Sequence, residues 1–370
     1  MSIHFHPLTI KEIRSETPDC VSISFDVPPE LESVFRFSHG QNLTVKTKIG
    51  NEEVRRSYSI CTAPHENDLR VAVKRVESGL FSTYAHKLTA GDVMDVLPPT
   101  GRFYTKLDPK NKKSYLAFAA GSGITPVISI IKTTLATEPK SNFTLVYGNR
   151  SRSSIIFLEE LEGLKNKYLE RFNLIHVLSR ERVDSNLNFG RINAEKLAQL
   201  HKVVDYSAMD ELFICGPEEM IFTTKEFLEA SGVDKKKIHF ELFTVPGEES
   251  RKSVPAFAGM TRSRESGVKT VEKESGPKSK VTLKLDGRAF DFELPFGGDT
   301  ILDAALKLGA DLPFACKGGV CSTCRAKLIE GEVEMEMNWA LEPEEVEQGF
   351  ILTCQSHPKT EKVVVDYDLR

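Results

Sequence analysis

The chain of 370 residues contains no apolar run approaching 18 residues, so it offers no segment of membrane-spanning length. Its opening, Met1-Ser-Ile-His-Phe-His-Pro-Leu8, has neither the basic nor the apolar stretch of a signal peptide. There is little excess of either charge. The 49 Lys and Arg nearly balance 53 Asp and Glu, for a net charge of -4, which excludes a general nucleic-acid binder. Cysteine is scarce too. Seven in a chain of this length do not make a disulfide framework, and the expected compartment is a reducing cytoplasm. The rest of the composition is that of a globular protein long enough for two or three domains, each with its own core.

Most of that scarce cysteine is gathered in one place. Cys316-Lys-Gly-Gly-Val-Cys321-Ser-Thr-Cys324 has the spacing C-x4-C-x2-C, and Cys354 follows at a distance. This is the arrangement of a plant-type [2Fe–2S] cluster. Each of two tetrahedral irons takes two protein sulfurs, so four thiolates are needed. Three come from one loop and the fourth from another strand or turn. Gly318 and Gly319 carry no Cβ, so the backbone can pass close to the cluster and aim N–H groups at sulfur. A zinc site and a disulfide pair are the alternatives. Zinc loops usually pair their cysteines as two short clips, unlike one long loop plus a single residue. The region around the cysteines is also the acidic part of the chain, with 17 acidic against 11 basic residues over 278–370. Glu330, Glu332, Glu334 and Glu336 form a stripe that either steers a basic partner or is a solvated face.

The first hundred residues alternate apolar and polar positions. Val21, Ile23, Phe25 and Val27 are one such series, and Leu43, Val45 and Ile49 belong to another that ends at Gly50-Asn51. Short strands with Gly and Pro turns predict a closed antiparallel barrel, interrupted by one helix over about Leu80–Leu88. Two segments carry ligand chemistry. In Arg56-Ser57-Tyr58-Ser59 a strand puts Arg56 and Tyr58 on one face and Ser57 and Ser59 on the other. Guanidinium and phenol suit a phosphate and a flat ring; a plain surface strand is the other reading. Val73-Lys74-Arg75, followed by Gly79-Leu80-Phe81-Ser82, places donors at a helix start, where an anion is favoured.

From about residue 112 the texture changes. Tyr115–Ala120 is continuously apolar, as a strand buried on both faces should be. It runs into Gly121-Ser122-Gly123-Ile124-Thr125-Pro126 and then an apolar helix. Further strands are predicted at 143–147, 172–178, 212–215 and 238–242, with helices such as 155–167 and 218–230 between them. Alternating strands and helices argue a parallel, doubly wound sheet. A Gly-rich turn between strand and helix lets a pyrophosphate approach the helix start, although Pro126 stands where a glycine is usual. The same turn could merely pack helix on strand. Ligands sit beyond the carboxyl ends of parallel strands, so the ends matter: Tyr147-Gly148-Asn149-Arg150, Ser179-Arg180 and Cys215-Gly216-Pro217. Ser179 and Arg180 suit the 2′-phosphate of NADPH, whereas an acid there would suit NADH. Cys215 reads equally as a small buried hydrophobe.

Residues 247–279 are polar and aperiodic, which predicts a flexible tether, broken by the apolar island Val254–Met260. The last part opens with a hairpin turning at Asp286-Gly287. A helix capped by Asp299 or Thr300 and ended by Gly309 follows, and Val363–Val365 closes a small sheet. A β-grasp type is expected.

Taken together, these segments resemble the ferredoxin–NADP⁺ reductase family joined to a plant-type ferredoxin. The motif R-x-Y-S matches Arg56, Tyr58 and Ser59, the flavin-phosphate loop matches Gly79–Ser82, the nucleotide loop matches Gly121–Pro126, and C-G-P matches Cys215–Pro217. His239-Phe240-Glu241-Leu242-Phe243 is similar to the end of that family's nucleotide domain. The order of the parts, with Glu330–Met335, Ala340–Pro343 and Leu352–Pro358, resembles the reductase components of bacterial phenylacetyl-CoA epoxidases. The resemblance implies a multidomain fold: a FAD-binding β-barrel over 1–108, an NAD(P)-binding α/β domain over 109–246, the tether, and a ferredoxin domain over 280–370. It implies FAD, NADPH (or NADH) and a [2Fe–2S] cluster on Cys316, Cys321, Cys324 and Cys354. Ser59, Cys215 and Glu241 would stand near the nicotinamide and flavin N5, and Phe243 would cover the flavin ring. Arg56, Ser57, Tyr58, Val73, Lys74, Gly79, Leu80 and Ser82 would hold FAD. Gly121, Gly123, Thr125, Pro126, Ser179, Arg180, Gly216 and Pro217 would hold the nucleotide. The implied partner is the di-iron subunits of an oxygenase, with no membrane or nucleic acid involved. Other electron acceptors, and a non-catalytic interaction protein with degenerate loops, are the competing readings.

Overall fold

The computed structural model describes residues 4–182, 185–244 and 277–369. They fall into two compact units, one of His4–Leu242 and one that contains 277–369. The predicted tether lies outside the described residues as far as 276, and so does its apolar island. Its last residues are already strand, because pairing in the second unit begins at Lys278. Among the described residues no helix is long and apolar enough to cross a membrane.

The first unit opens with β1 (His6–Thr17), β2 (Cys20–Asp26), β3 (Asn42–Ile49), β4 (Glu52–Ser59), β5 (Leu69–Lys74) and β6 (Val93–Val96). They form one antiparallel sheet in the order β4-β3-β6-β1-β2-β5. A bridge between Ile60 and Val71 joins its two end strands and closes the barrel. Gly50, at φ 62, makes the β3–β4 turn where the sequence places it. The helix α1 (Leu80–Ala85) is shorter than expected. Its end tightens, with the Lys87 N–H reaching the Tyr84 carbonyl at 2.9 Å. Arg70, between the core residues Leu69 and Val71 of β5, is 5% exposed. Its guanidinium bonds Asp68 at 2.8 Å, Glu12 at 2.5 Å and Ser22 Oγ at 3.1 Å, so a buried charge is fully partnered.

Next come β7 (Ser114–Ala120), α2 (Ile124–Thr137), β8 (Asn142–Asn149), α3 (Leu158–Lys167), β9 (Phe172–Leu178), α4 (Ala194–Leu200), β10 (Glu211–Cys215), α5 (Glu218–Ala230) and β11 (Ile238–Glu241). The strands are all parallel, in the order β11-β10-β7-β8-β9. The chain leaves β7 to one side for β8 and β9, then returns to the other for β10 and β11. The order reverses between β7 and β10, which is where such sheets open a crevice at their carboxyl ends. Helix α3 starts three residues later than its apolar pattern suggests. Phe157 is left-handed, at φ 62, and Ile155–Phe157 enter the core as a loop.

Barrel and sheet share this unit and pack together. Cys20, Cys61, Ala72 and Phe103 of the barrel belong to the same apolar core as α2 and β7. The Ser129 hydroxyl donates to the Thr62 carbonyl at 2.6 Å. Lys132, 5% exposed, reaches Glu66 at 2.7 Å and Glu160 at 2.8 Å, tying a barrel turn to α3 through one buried cation.

The second unit contains β12 (Lys278–Leu285), β13 (Arg288–Pro295), α6 (Ile301–Lys307), β14 (Arg325–Glu330), β15 (Val333–Met335), α7 (Pro343–Glu347), β16 (Phe350–Leu352), β17 (Ser356–Pro358) and β18 (Lys362–Asp366). The main sheet runs β13-β12-β18-β14-β16, with β15 and β17 as a separate pair. Asp286 and Gly287, at φ 57 and 68, turn the hairpin. Of the two candidate caps for α6, Thr300 is the one, accepting the Asp303 N–H at 3.2 Å. Three carboxylates of the acidic stripe have side-chain partners among the described residues. Glu330 pairs with Lys362 at 2.7 Å, Glu336 with His357 at 3.0 Å, and Glu334 with Lys359.

Candidate redox sites

In the first unit the expected ligand segments converge at the switch point. Gly121–Gly123 forms one tight turn between β7 and α2, and Cys215-Gly216-Pro217 leaves β10 beside it. The two turns interlock. A Cβ on Gly123 would lie 2.0 Å from the Cys215 carbonyl oxygen and 2.8 Å from the Gly216 nitrogen. Only a bare Cα permits that approach. Thr125 and Pro126 are buried in the first turn of α2. The motif therefore does both things its pattern allows: it packs helix on strand, and it leaves backbone at the mouth of the crevice.

Ser59 and Glu241 meet across 182 positions of sequence. The Ser59 hydroxyl donates to Glu241 Oε2 at 3.1 Å. Ser59 ends barrel strand β4 and is 4% exposed. Glu241 ends β11 and stands in register with Cys215 on β10. Three residues that the resemblance implies as neighbours are thus brought together by two separate sheets. Burial, then the nearby Glu241 charge, pushes the Cys215 thiol well above its usual range. It is 0% exposed within the apolar core, a neutral thiol and not a thiolate nucleophile. Phe243, two residues beyond β11, is 42% exposed.

The flavin-type segments lie on β4, at the end of β5 and at the start of α1. Tyr58 packs on Phe81 of α1 at 5.3 Å between ring centroids, Arg56 is exposed, and Ser57 shares a hydrogen bond with Thr44 at 3.0 Å. Lys74, at the end of β5 after buried Val73, pairs with Asp19 at 3.5 Å. It comes within 3.9 Å of the point a Gly121 Cβ would occupy. The Ser82 hydroxyl, read from sequence as an anion donor, is used within the loop. It accepts the Val76 N–H at 3.1 Å and donates to the Gly79 carbonyl at 3.3 Å. A Cβ on Gly79 would fall 2.4 Å from that hydroxyl. The residues fit a bound dinucleotide through backbone and Arg56, with Ser82 shaping the loop. Leu80 is 40% exposed at its rim.

Ser179 and Arg180 end β9 as predicted, with Arg180 exposed. The neighbouring Glu181 is turned to the backbone, accepting the Arg152 N–H at 2.7 Å. A cavity of 230 Å³ at Asn142, Lys165, Glu170 and Asn173 opens at the amino ends of β8 and β9, away from the crevice.

In the second unit the four cysteines are free thiols. Among the described residues no three His, Cys, Asp or Glu side chains converge as a single ion would require. Cys316 lies beside Cys321 and Cys324 beside Cys354, near enough for each thiol to shift its neighbour. Two pairs suit two irons with two protein sulfurs each, which neither a mononuclear zinc site nor a disulfide needs. The donors fit too. The Gly318 N–H reaches Cys316 Sγ at 3.4 Å, and the Gly319 N–H is bonded to Cys354. The hydrogen bond from Cys321, with those from Gly318 and Val320, outweighs burial and lowers the Cys316 thiol. Sequence reading missed Gln355. It is 6% exposed and its amide stands 3.6 Å from Cys354 Sγ while bonding the Lys317 carbonyl at 2.9 Å. Its position next to a ligand was the available signal.

Residues 7–104 match the oxidoreductase FAD-binding domain family, 118–226 the oxidoreductase NAD-binding domain family, and 283–359 the 2Fe-2S iron-sulfur cluster binding domain family. Over 368 residues the chain is 44% identical to one of the subunits of 1,2-phenylacetyl-CoA epoxidase from Escherichia coli (strain K12), covering 99% of this chain and 98% of that one. It is 34% identical over 364 residues to the ferredoxin reductase component of 3-ketosteroid-9-alpha-monooxygenase from Rhodococcus rhodochrous, covering 97% and 96%. Its fold is similar to that of phthalate dioxygenase reductase, with a TM-score of 0.54 at 22% identity and 98% of each chain covered.

Proposed function

This chain belongs to the family of reductase components of oxygenases that carry FAD-binding, NAD-binding and 2Fe-2S domains, and we propose that it supplies electrons from NADPH to the di-iron subunits of a phenylacetyl-CoA epoxidase. The observation that carries this reading is the pair of cysteine pairs on the same polypeptide as the Ser59–Glu241 crevice. A bound FAD would accept two electrons together and release them singly to a one-electron cluster. The protein's own part is placement. Ser59 fixes the Glu241 carboxylate, Glu241 holds or moves a proton at its Oε atoms, and the neutral Cys215 thiol walls the nicotinamide pocket without adding charge. Arg56, Ser57, Tyr58, Ser59, Val73, Lys74, Gly79, Leu80 and Ser82 would hold FAD. Gly121, Gly123, Thr125, Pro126, Gly216 and Pro217 hold the nucleotide.

The domain boundaries we assign are 1–108, 109–246 and 278–370, with 247–277 between the last two, since pairing in the last domain begins at Lys278. The three family matches lie inside the assigned domains. Seven free cysteines support a reducing cytoplasmic setting. Reconstitution tests the acceptor. With purified epoxidase subunits the protein should support NADPH-dependent turnover of phenylacetyl-CoA. Reduction of cytochrome c without such turnover would reject this acceptor and leave another oxygenase.

NADPH is favoured over NADH because Arg180 is exposed beside Ser179 while Glu181 is engaged by the Arg152 backbone. Arg180→Ala should raise KM for NADPH by roughly tenfold or more, the value of a charge-assisted hydrogen bond, with KM for NADH within about twofold. Steady-state kinetics with both nucleotides decides this, and equal effects on the two would sink the assignment.

A further inference from the structure

Two carbonyls of the Gly121–Gly123 turn are tied down by side-chain hydroxyls. Tyr147 Oη donates to the Gly121 carbonyl at 2.9 Å, and Thr125 Oγ1 donates to the Ser122 carbonyl at 3.1 Å. The Ile124 N–H reaches both oxygens. Tyr147 lies near the end of β8, opposite Ala119 of β7, and its neighbour Gly148 is opposite Ala120. It is fully buried at 0% exposed. Burial raises the phenol far above its usual range, so it remains a donor at any working pH.

A trans peptide is planar, and its C=O and the following N–H point in opposite directions. Fixing the Gly121 carbonyl therefore fixes the Ser122 N–H, which is aimed away from Tyr147. Gly121 sits at φ 54, and glycine by itself selects that conformation only weakly. The hydroxyl adds to the Ile124 N–H in making that selection. At the mouth of the crevice, a carbonyl turned outward would repel a pyrophosphate, whereas an N–H turned outward attracts it.

We propose that Tyr147 is a positioning residue for nucleotide binding: its hydroxyl holds the Gly121 peptide so that the Ser122 N–H faces the dinucleotide pyrophosphate. This rests on reading the crevice as the nucleotide site. Tyr147 acts through the backbone turn. The sequence pattern places it in the strand end Tyr147–Arg150 but gives its hydroxyl no role.

Tyr147→Phe keeps the ring and removes one hydroxyl. The control is Tyr115→Phe, which removes an equally buried hydroxyl from β7, bonded to Glu138 at 2.9 Å. The holoenzyme of each variant is titrated calorimetrically with NADP⁺ and NAD⁺, and KM, kcat and the thermal midpoint are measured. For Tyr147→Phe, Kd for the preferred dinucleotide and KM should rise by about 5–20-fold, with kcat at saturation within about twofold. Its midpoint should fall less than that of Tyr115→Phe, whose dinucleotide affinity should be unchanged. Unchanged affinity in Tyr147→Phe overturns the proposal. So does a pattern in which Tyr147→Phe loses stability and affinity as Tyr115→Phe does, since that describes packing alone. A wild-type protein that binds neither dinucleotide overturns the nucleotide reading of the crevice, and this inference with it.

Discussion

Cys324→Ser is expected to cut electron delivery to cytochrome c or an oxygenase by more than about 100-fold, beyond the loss typical of groups behind a ligand. Reduction of ferricyanide by NADPH, which needs only the first unit, should stay within about twofold. Cys324 is 2% exposed and sits in the apolar core of the second unit, where it pairs with Cys354. Serine preserves its size, so the core survives while one iron loses a soft thiolate. Thr353 also holds this corner, donating to the Cys324 carbonyl at 3.0 Å. Assaying both acceptors on the same preparation separates the two halves of the electron path. Equal loss with both acceptors would show that the first unit depends on the cluster, contrary to the proposed order of transfer.

Gly123→Ala is expected to weaken NADPH binding by about 100-fold and to destabilise the first unit by roughly 1–3 kcal/mol, the usual cost of overpacking. The obstruction is backbone. An added Cβ would stand 2.0 Å from the Cys215 oxygen and 2.4 Å from its carbonyl carbon. Neither can swing aside as a side-chain tip would, so β10 must part from the turn and carry Cys215 with it. Gly163 provides the contrast. It lies within α3 with nothing inside 4 Å of an added Cβ, and Gly163→Ala should be neutral or stabilise by about 0.5–1 kcal/mol. Calorimetric Kd and thermal unfolding of both variants test the difference. A tolerated Gly123→Ala would mean that the interlock is not what shapes the crevice.

Much of this architecture was legible in the residues because it follows from local pattern. The parallel strands are continuous apolar runs, and Phe172–Leu178 is the strand that the sequence predicts, residue for residue. The cysteine spacing likewise carries its own chemistry. What was not legible depends on contacts between distant segments. The burial of Arg70 was not legible because alternation is blind to a second layer, here the ion network with Glu12 and Asp68. The bond from the Val76 N–H to the Ser82 hydroxyl was not legible because no local rule reveals it. The pairing of the Glu330–Glu336 stripe was not legible because its partners, Lys359, Lys362 and His357, come from later in the chain. The Ser59–Glu241 meeting was legible only through family resemblance, since 182 positions separate the two residues.

The shortness of β11 has a consequence for how activity is lost on heating. Glu241 is the last residue of a four-residue strand at the edge of the parallel sheet. Edge segments with few ladder bonds open at far lower free energy than the sheet behind them. Such an opening would withdraw Glu241 from Ser59 and Cys215 while β7, β8 and β10 stayed folded. The protein would then stop turning over below the temperature at which it unfolds, and its working range would be set by the fraying of four residues, not by the cooperative melting of the domain.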